Sequence, residues 1–87
     1  MHMKTATSDT IEINGYALRW GRKLMNLTPK SLADAIERDR TYIVKIETGA
    51  VTRVSTDTFD GLVKALGIED RRALMAFPHA VELEATA

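Results

Sequence analysis

Several residue types that point to particular functions are scarce in this chain. It contains no cysteine, which excludes a disulfide and a thiolate metal site. Its two histidines, His2 and His79, lie far apart near the ends of the 87 residues and lack the spacing of metal ligands. It contains no glycine-rich phosphate loop and no serine or cysteine nucleophile motif. We therefore expect neither enzymatic activity nor a metal or other cofactor.

Long apolar segments are also missing. The apolar run that includes Leu74 to Phe77 is far too short to cross a membrane, which takes about 20 residues. The first residues, MHMKTATSDT, lack the apolar centre of a signal peptide. We expect a cytoplasmic protein without a membrane partner. A length of 87 residues predicts one small domain with a core just large enough to fold unaided.

Charge is distributed unevenly along the chain. The formal net charge is zero, which by itself argues against a nucleic-acid partner. Residues 19–53, however, hold eight bases and four acids, a net charge of +4, whereas residues 1–18 carry −1 and residues 54–87 carry −3. Positive charge is thus concentrated in the middle of the chain. The neutral total still predicts modest non-specific affinity for DNA, because that affinity scales with the number of phosphates neutralised.

The basic segment predicts two short helices joined by a tight turn. The first helix is expected over about 29–37, because Thr28 is a hydroxyl N-cap and Pro29 suits the first helical position. Its apolar residues recur at helical spacing and should face the core. They are Leu32, Ala33 and Ile36.

The second helix is expected over about 39–48. Asp39 can cap its free N–H groups, and Gly49 can end it in the left-handed conformation. Ile43 and Ile46 should point inward. The remaining side carries the polar residues Arg40, Thr41, Tyr42 and Lys45. This pattern is typical of a helix that enters a groove of a partner.

These residues resemble the helix-turn-helix of the Cro and lambda-repressor-like (XRE-type) DNA-binding family. The resemblance covers about Leu18 to Ile68, over half of the chain. Its motifs are, in order, Arg22, Leu27-Thr28, Leu32-Ala33, Ile43, Ile46-Glu47, Gly49 and Ala65-Leu66-Gly67-Ile68. Each motif is common alone, but the ordered set is specific. The resemblance implies an all-α, compact five-helix DNA-binding domain, with short terminal β-strands as an option.

The resemblance also implies a domain organisation. Residues 15–77 would form the helix-turn-helix domain, residues 1–14 an N-terminal arm or short strand, and residues 78–87 a C-terminal tail. Residues 10–13 and 81–84 both alternate apolar and polar side chains, as short strands do. We expect these two segments to pair as a small sheet, within one chain or across a dimer; a frayed arm is the alternative for the first.

Three further helices complete the predicted domain. One of them precedes the two helices described above. It runs from about Tyr16 to Met25, after an Asn14-Gly15 pair that is either a turn or a cap. We expect four of its apolar residues to be buried, namely Tyr16, Leu18, Leu24 and Met25, and we interpret Trp20 as a core or interface plug. The other two follow the helix expected over about 39–48. One starts at the N-cap Ser55, and the last spans about 69–77. In the family, this last helix closes the core and often joins a dimer interface.

The resemblance implies that the 39–48 helix contacts bases in the major groove. The expected base-contacting residues are Arg40, Thr41, Tyr42, Val44 and Lys45. Arg40 is the best candidate for a bidentate contact with guanine. Considered alone, Arg40 and Lys45 would be interpreted as a solvated charged face. The complete motif favours DNA contact instead.

Other residues are expected to contact the DNA backbone or to stabilise the fold of the protein. The expected backbone contacts are Thr28, Lys30, Ser31, Thr48, Thr52 and Arg53, which would set register without reading sequence. Pro29 replaces a family glutamine that grips the backbone. Glu37 occupies a turn position where the family often has glycine, which implies strain of about 1 kcal/mol or a different turn. Arg22 and Glu47 match a structural ion pair of the family.

The resemblance implies a sequence-specific transcriptional repressor of the Cro kind, from a phage or bacterium, acting in the bacterial cytoplasm. Its partner would be a double-stranded DNA operator, bound as a homodimer, and we expect no small-molecule ligand. The alternative is an antitoxin or accessory regulator of the same fold whose main partner is another protein. The acidic C-terminal third, which contains leucine and methionine, would then supply the partner surface.

Overall fold

A computed structural model describes residues 10–76. The chain forms strand β1 (Thr10–Glu12), helices α1 (Gly15–Leu24), α2 (Pro29–Ala35) and α3 (Arg40–Thr48), strand β2 (Arg53–Ser55), helix α4 (Thr56–Ala65) and a 3-10 helix (Arg71–Leu74). The predicted tail at 78–87, with its strand at 81–84, lies outside the described residues.

Side chains immediately before each α-helix fix where it starts. Four residues accept a hydrogen bond of 3.0–3.1 Å from the backbone N–H three positions later. They are Asn14, Thr28, Asp39 and Ser55. Pro29 occupies the first position of α2, and Gly49 ends α3 with φ 89°. The predicted caps are therefore confirmed, and Asn14 is a cap.

The small sheet joins β1 to a strand that the sequence did not predict. β1 pairs with β2 in antiparallel register, with Ile11 opposite Val54. On the other edge of β1, Ile13 bridges Met75, and the Ala76 N–H donates to the Glu12 carbonyl over 3.0 Å. Both edges around Glu12 and Ile13 are thus occupied. Residues 81–84, which the sequence predicted to pair with residues 10–13, lie outside the described residues.

The last predicted helix is shorter than expected and of a different type. Instead of an α-helix over about 69–77, the chain forms only the 3-10 helix Arg71–Leu74. Asp70 caps this helix, and its hydrogen bonds from Arg72 lower the pKa of the Asp70 carboxyl. Met75 is already extended because it bridges Ile13, and extended backbone cannot continue a helix. Residues 10–76 therefore contain four α-helices, not five.

The core is one cluster of apolar side chains. All four α-helices, strand β2, the residue that follows β1 and the 3-10 helix contribute to it. Its buried members are Ile13, Leu18, Leu32, Ala33, Ile43, Ile46, Val54, Phe59, Leu62, Leu66 and Leu74. Ala33 is fully buried on α2, which packs against α3. A larger side chain at Ala33 would push these two helices apart.

The predicted burial of α1 is wrong for three of four residues. Only Leu18 is buried, whereas Tyr16, Leu24 and Met25 are exposed, as is Trp20. The buried side of α1 is instead formed by Leu18 and Arg22, one helical turn apart. Because an arginine occupies part of that side, the apolar residues of α1 do not mark the face that packs against the core.

Candidate nucleic-acid interface

Helix α3 has one buried side and one exposed side. Ile43 and Ile46 are buried in the core. Arg40, Thr41 and Lys45 are exposed, and Val44 is partly exposed. The side chains of Arg40 and Lys45 make no ion pair with any other residue between 10 and 76. Two cations and a hydroxyl are thus held outward on a rigid helix, where an anionic partner can reach them.

Tyr42 differs from the other four predicted base-contacting residues. Its ring is half-buried and packs against the core cluster. The Arg38 guanidinium lies over the other part of the ring, 4.1 Å from its centroid, in a cation–π contact. Arg38 was not among the predicted contacts. The signal in the sequence is its position four residues before Tyr42, across the turn that starts α3.

A concavity opens beside the start of α3. It has a volume of about 480 Å³ and is lined by Glu37, Arg38, Asp39, Thr41, Tyr42 and Lys45. Bases and acids alternate around it. The Asp39 carboxylate also caps α3, accepting from the Tyr42 N–H over 3.1 Å. The local charge is therefore mixed at this end, and it becomes positive along the outer side of the helix.

Glu37, the residue that departs from the family pattern, lies in the turn between α2 and α3. Glu37 has φ 59°, in the left-handed region. The Arg38 N–H donates to the Ala33 carbonyl over 2.9 Å, which closes the turn in the manner of a helix C-cap. A residue with a Cβ costs about 1–2 kcal/mol in this conformation. The turn is the one a glycine would adopt, and Glu37 carries the strain.

The ion pair implied by the resemblance is present and nearly buried. The Arg22 Nε and Nη2 donate to the two carboxylate oxygens of Glu47 over 2.7 and 3.1 Å. The two side chains are only 11% and 8% exposed. The Arg22 Nη1 also donates to the Leu27 carbonyl over 2.8 Å. One guanidinium therefore fixes α1 to the end of α3 and to the segment that leads into α2.

A glycine allows α1 and α3 to approach closely. A Cβ built on Gly15 would overlap the carbonyl oxygen of Ile46. Sequence reasoning treated Gly15 only as part of a turn or cap and missed this contact. No local signal indicates it, because the two residues are far apart in the chain. Together with Arg22–Glu47, this contact sets the position of α3 relative to the rest of the domain.

The residues at the start of α2 that were predicted to contact the DNA backbone are exposed. Each of them forms a hydrogen bond or an ion pair within the protein. The Thr28 hydroxyl accepts from the Ser31 N–H and donates to the Ser31 hydroxyl, both over 3.0 Å. Lys30 pairs with Asp34 over 3.2 Å, and both side chains are exposed. Exposed pairs of this kind contribute about 0–1 kcal/mol. Lys30 can therefore leave Asp34 for a phosphate at little cost.

The segment after α3 is anchored at several points. The Thr48 hydroxyl donates to the Lys45 carbonyl over 3.3 Å, and the Val51 N–H donates to the same carbonyl over 3.0 Å. The Thr52 carbonyl accepts from Ile13 over 2.9 Å. Thr48 and Thr52 are both exposed.

Arg53, predicted in a loop, belongs to β2. It lies opposite Glu12, and its Nη1 is 3.3 Å from the Glu12 carboxylate, while its Nε donates to the Thr10 hydroxyl over 3.2 Å. The Arg53–Glu12 pair is also exposed. In the described structure, the Arg53 guanidinium is bound by Glu12 and Thr10.

The comparison with protein families agrees with this arrangement. A family model described as Helix-turn-helix matches residues 18–71, more than half of the chain. The chain belongs to this helix-turn-helix family. The resemblance to the lambda-repressor and Cro-like, XRE-type group is thereby confirmed, and the matched region contains α2, α3 and the Arg22–Glu47 pair. This helix-turn-helix protein is a DNA-binding regulator. No curated protein matches the sequence.

Between residues 10 and 76, no three or more His, Asp or Glu side chains are grouped as metal ligands. Within the same range, no helix has the length and apolar content needed to cross a membrane.

Proposed function

We propose that this protein binds double-stranded DNA with sequence specificity and represses transcription by occupying an operator. The observation that supports this most strongly is the outward side of α3. Arg40, Thr41 and Lys45 are exposed there, while Ile43 and Ile46 hold the helix in the core. In a helix-turn-helix protein, the second motif helix lies in the major groove with its first turn toward the bases. Arg40 and Thr41 stand in that turn.

Each outward residue of α3 has a proposed role. Arg40 donates a bidentate pair to guanine, and Thr41 or Val44 contacts a thymine methyl group. Lys45, one turn after Thr41, reaches a base or a phosphate. Tyr42 contacts a sugar or phosphate at the edge of the groove, because its ring is held by Arg38 and the core.

Contacts with the DNA backbone would position α3. We assign them to two segments that flank α3 in the chain, the start of α2 and the residues after α3. The residues are Thr28, Lys30 and Ser31, then Thr48, Thr52 and Arg53. We add Arg38, whose guanidinium lines the concavity at the start of α3. Such contacts fix register and supply most of the salt-dependent affinity.

We propose that the protein acts as a homodimer on DNA, in the cytoplasm of a bacterial or phage-infected host. A dimer would present two α3 helices to half-sites about 34 Å apart. Two modules also double the number of base contacts, and each mismatched base pair costs about 1–3 kcal/mol. The neutral net charge of the chain makes this gain in specificity more important, because non-specific attraction is weak.

A second candidate function keeps the fold and changes the main partner. An antitoxin or accessory regulator would expose an apolar surface for another protein. The observation that favours it is the exposed apolar side of α1, with Tyr16, Trp20 and Leu24. In the C-terminal third, where the sequence predicted this surface, Leu74 is buried, and residues 77–87 lie outside the described residues. A stable complex with a second polypeptide encoded beside this protein would favour this candidate.

The test of the proposed function is selection of bound duplexes from a random pool, followed by affinity measurements on the enriched sequence. We expect one enriched motif, and we expect Lys45→Ala to bind it more weakly. Lys64→Ala is the matched control, since Lys64 is an exposed lysine on α4. Enrichment of no sequence, or an equal loss in both variants, would contradict the proposal.

A further inference from the structure

Arg38 is held at both ends, although it lies in a turn. Its backbone N–H donates to the Ala33 carbonyl over 2.9 Å. At the far end of its side chain, the guanidinium lies over the Tyr42 ring, 4.1 Å from the ring centroid. Tyr42 is itself fixed, because its ring packs against the core and its N–H donates to the Asp39 carboxylate over 3.1 Å. The guanidinium is therefore favoured in one position beside the start of α3.

The Arg38 guanidinium keeps its hydrogen-bonding capacity in this position. A guanidinium carries five N–H donors in its own plane, so a contact between its face and a ring leaves those donors available. In the described part of the chain, the Arg38 side chain forms no ion pair and donates no hydrogen bond. The Lys30 and Arg53 side chains, by contrast, are each paired with a carboxylate. Arg38 can therefore bind an anion without first leaving a carboxylate.

The location of Arg38 suits a DNA phosphate beside α3. Arg38 lines the concavity at the start of α3, where Thr41 and Lys45 also lie. When the first turn of such a helix enters the major groove, the phosphates at the edge of the groove lie beside it. A planar guanidinium can bind two oxygens of one phosphate. The carboxylates of Glu37 and Asp39 line the same concavity, and they would attract a guanidinium that the ring did not hold.

We propose that Tyr42 is a positioning residue, whose ring holds the Arg38 guanidinium where it binds a DNA phosphate. This inference rests on the proposed function and deepens it, because it gives the ring of Tyr42 a role separate from any contact of its hydroxyl. An exposed cation–π contact favours the held position by about twofold to fivefold. Since an arginine side chain has many other conformations, loss of the ring should reduce affinity for DNA by about the same factor.

The test is a double-mutant cycle on affinity for DNA, measured by fluorescence anisotropy with a labelled duplex of random sequence at about 0.05 M salt, where non-specific affinity is high. Tyr42→Phe and Tyr42→Leu both lack the hydroxyl, and only Tyr42→Phe keeps a ring. We expect Tyr42→Leu to bind about twofold to fivefold more weakly than Tyr42→Phe. When each is combined with Arg38→Ala, this difference should disappear, because the ring then has no guanidinium to hold.

The salt dependence of affinity tests whether Arg38 binds a phosphate. Arg38→Ala should reduce the slope of log affinity against log salt by about one unit. Arg71→Ala is the matched control, because the Arg71 guanidinium also lies over a ring, 5.2 Å from the centroid of Phe59. Arg71 already donates to the Asp60 carboxylate over 2.9 Å. This control removes the same charge as Arg38→Ala and should leave the slope unchanged.

Circular dichroism shows which variants are folded, and Tyr42→Met replaces Tyr42→Leu if the latter is not, since methionine also fills the space without a ring. Equal affinities of Tyr42→Leu and Tyr42→Phe, or an unchanged slope in Arg38→Ala, would overturn the proposal. A difference that persists with Arg38→Ala would also overturn it, because the ring would then act only on the fold. If the cycle gives the expected result but selection enriches no motif, this proposal is supported and the proposed sequence specificity is contradicted.

Discussion

Replacing Arg22 by alanine tests how α3 is held in place. Three hydrogen bonds of the Arg22 guanidinium would be lost, two to Glu47 and one to the Leu27 carbonyl. The Glu47 side chain is only 8% exposed, so its carboxylate would remain nearly buried without its partner. The substitution therefore removes a favourable interaction and also leaves a charge in an environment of low polarity.

The expected loss of stability is large for a domain of this size. Removing one partner of a buried ion pair typically costs about 3–5 kcal/mol. A chain of 87 residues has a total stability of about 4–13 kcal/mol, at roughly 0.05–0.15 kcal/mol per residue. Arg22→Ala should therefore remove between about a quarter and all of the stability of the domain. The effect on DNA binding should follow from this loss of folding.

Urea denaturation followed by circular dichroism measures this free energy. Lys30→Ala is the control, since the Lys30–Asp34 pair is exposed and should cost no more than about 1 kcal/mol. In the double variant Arg22→Met/Glu47→Leu, no charge is stranded, and most of the stability should return. A loss below about 1 kcal/mol in Arg22→Ala, or a double variant as unstable as the single one, would refute this reasoning.

Three further substitutions test other features of the structure. Gly15→Ala should destabilise the domain by about 1–3 kcal/mol in the same urea assay, because the new methyl group overlaps the backbone of α3 at Ile46; unchanged stability would show that the helices are not in such close contact. Glu37→Gly should raise the free energy of unfolding by about 1 kcal/mol, since glycine adopts positive φ without strain, and a decrease would count against that assignment. Arg53→Ala should weaken binding to all duplexes alike and reduce the slope of affinity against salt by about one unit; a loss confined to one sequence would exclude a phosphate contact.

The parts of the fold that depend on neighbouring residues were predictable from the sequence. Thr28, Asp39 and Ser55 are caps in the structure because a cap requires only its own side chain and the next turn of backbone. Gly49 ends α3 for a similarly local reason. The outward and inward sides of α3 also follow from helical spacing alone.

Most parts that depend on distant residues were not predictable, and the Arg22–Glu47 pair was expected only from the family resemblance. β1 pairs with β2, some 40 residues away, and its own alternation does not specify which segment it pairs with. The last helix is shortened because Met75 pairs with Ile13, which no local pattern around Met75 indicates. In α1, Arg22 takes a buried position, so apolar periodicity pointed to the wrong side of the helix. Arg38, by contrast, was missed although the Tyr42 ring that it contacts is only four residues away in the chain.

The most direct test of the account is the base preference of Arg40→Ala, compared with that of the unchanged protein, after selection from random duplexes. We expect the unchanged protein to enrich one motif that includes a guanine. Arg40→Ala should bind that motif more weakly by about 1–3 kcal/mol and lose its preference at a single base position. If Arg40→Ala retains the full motif, or loses affinity equally for every sequence, α3 does not read DNA through the residue assigned to that role.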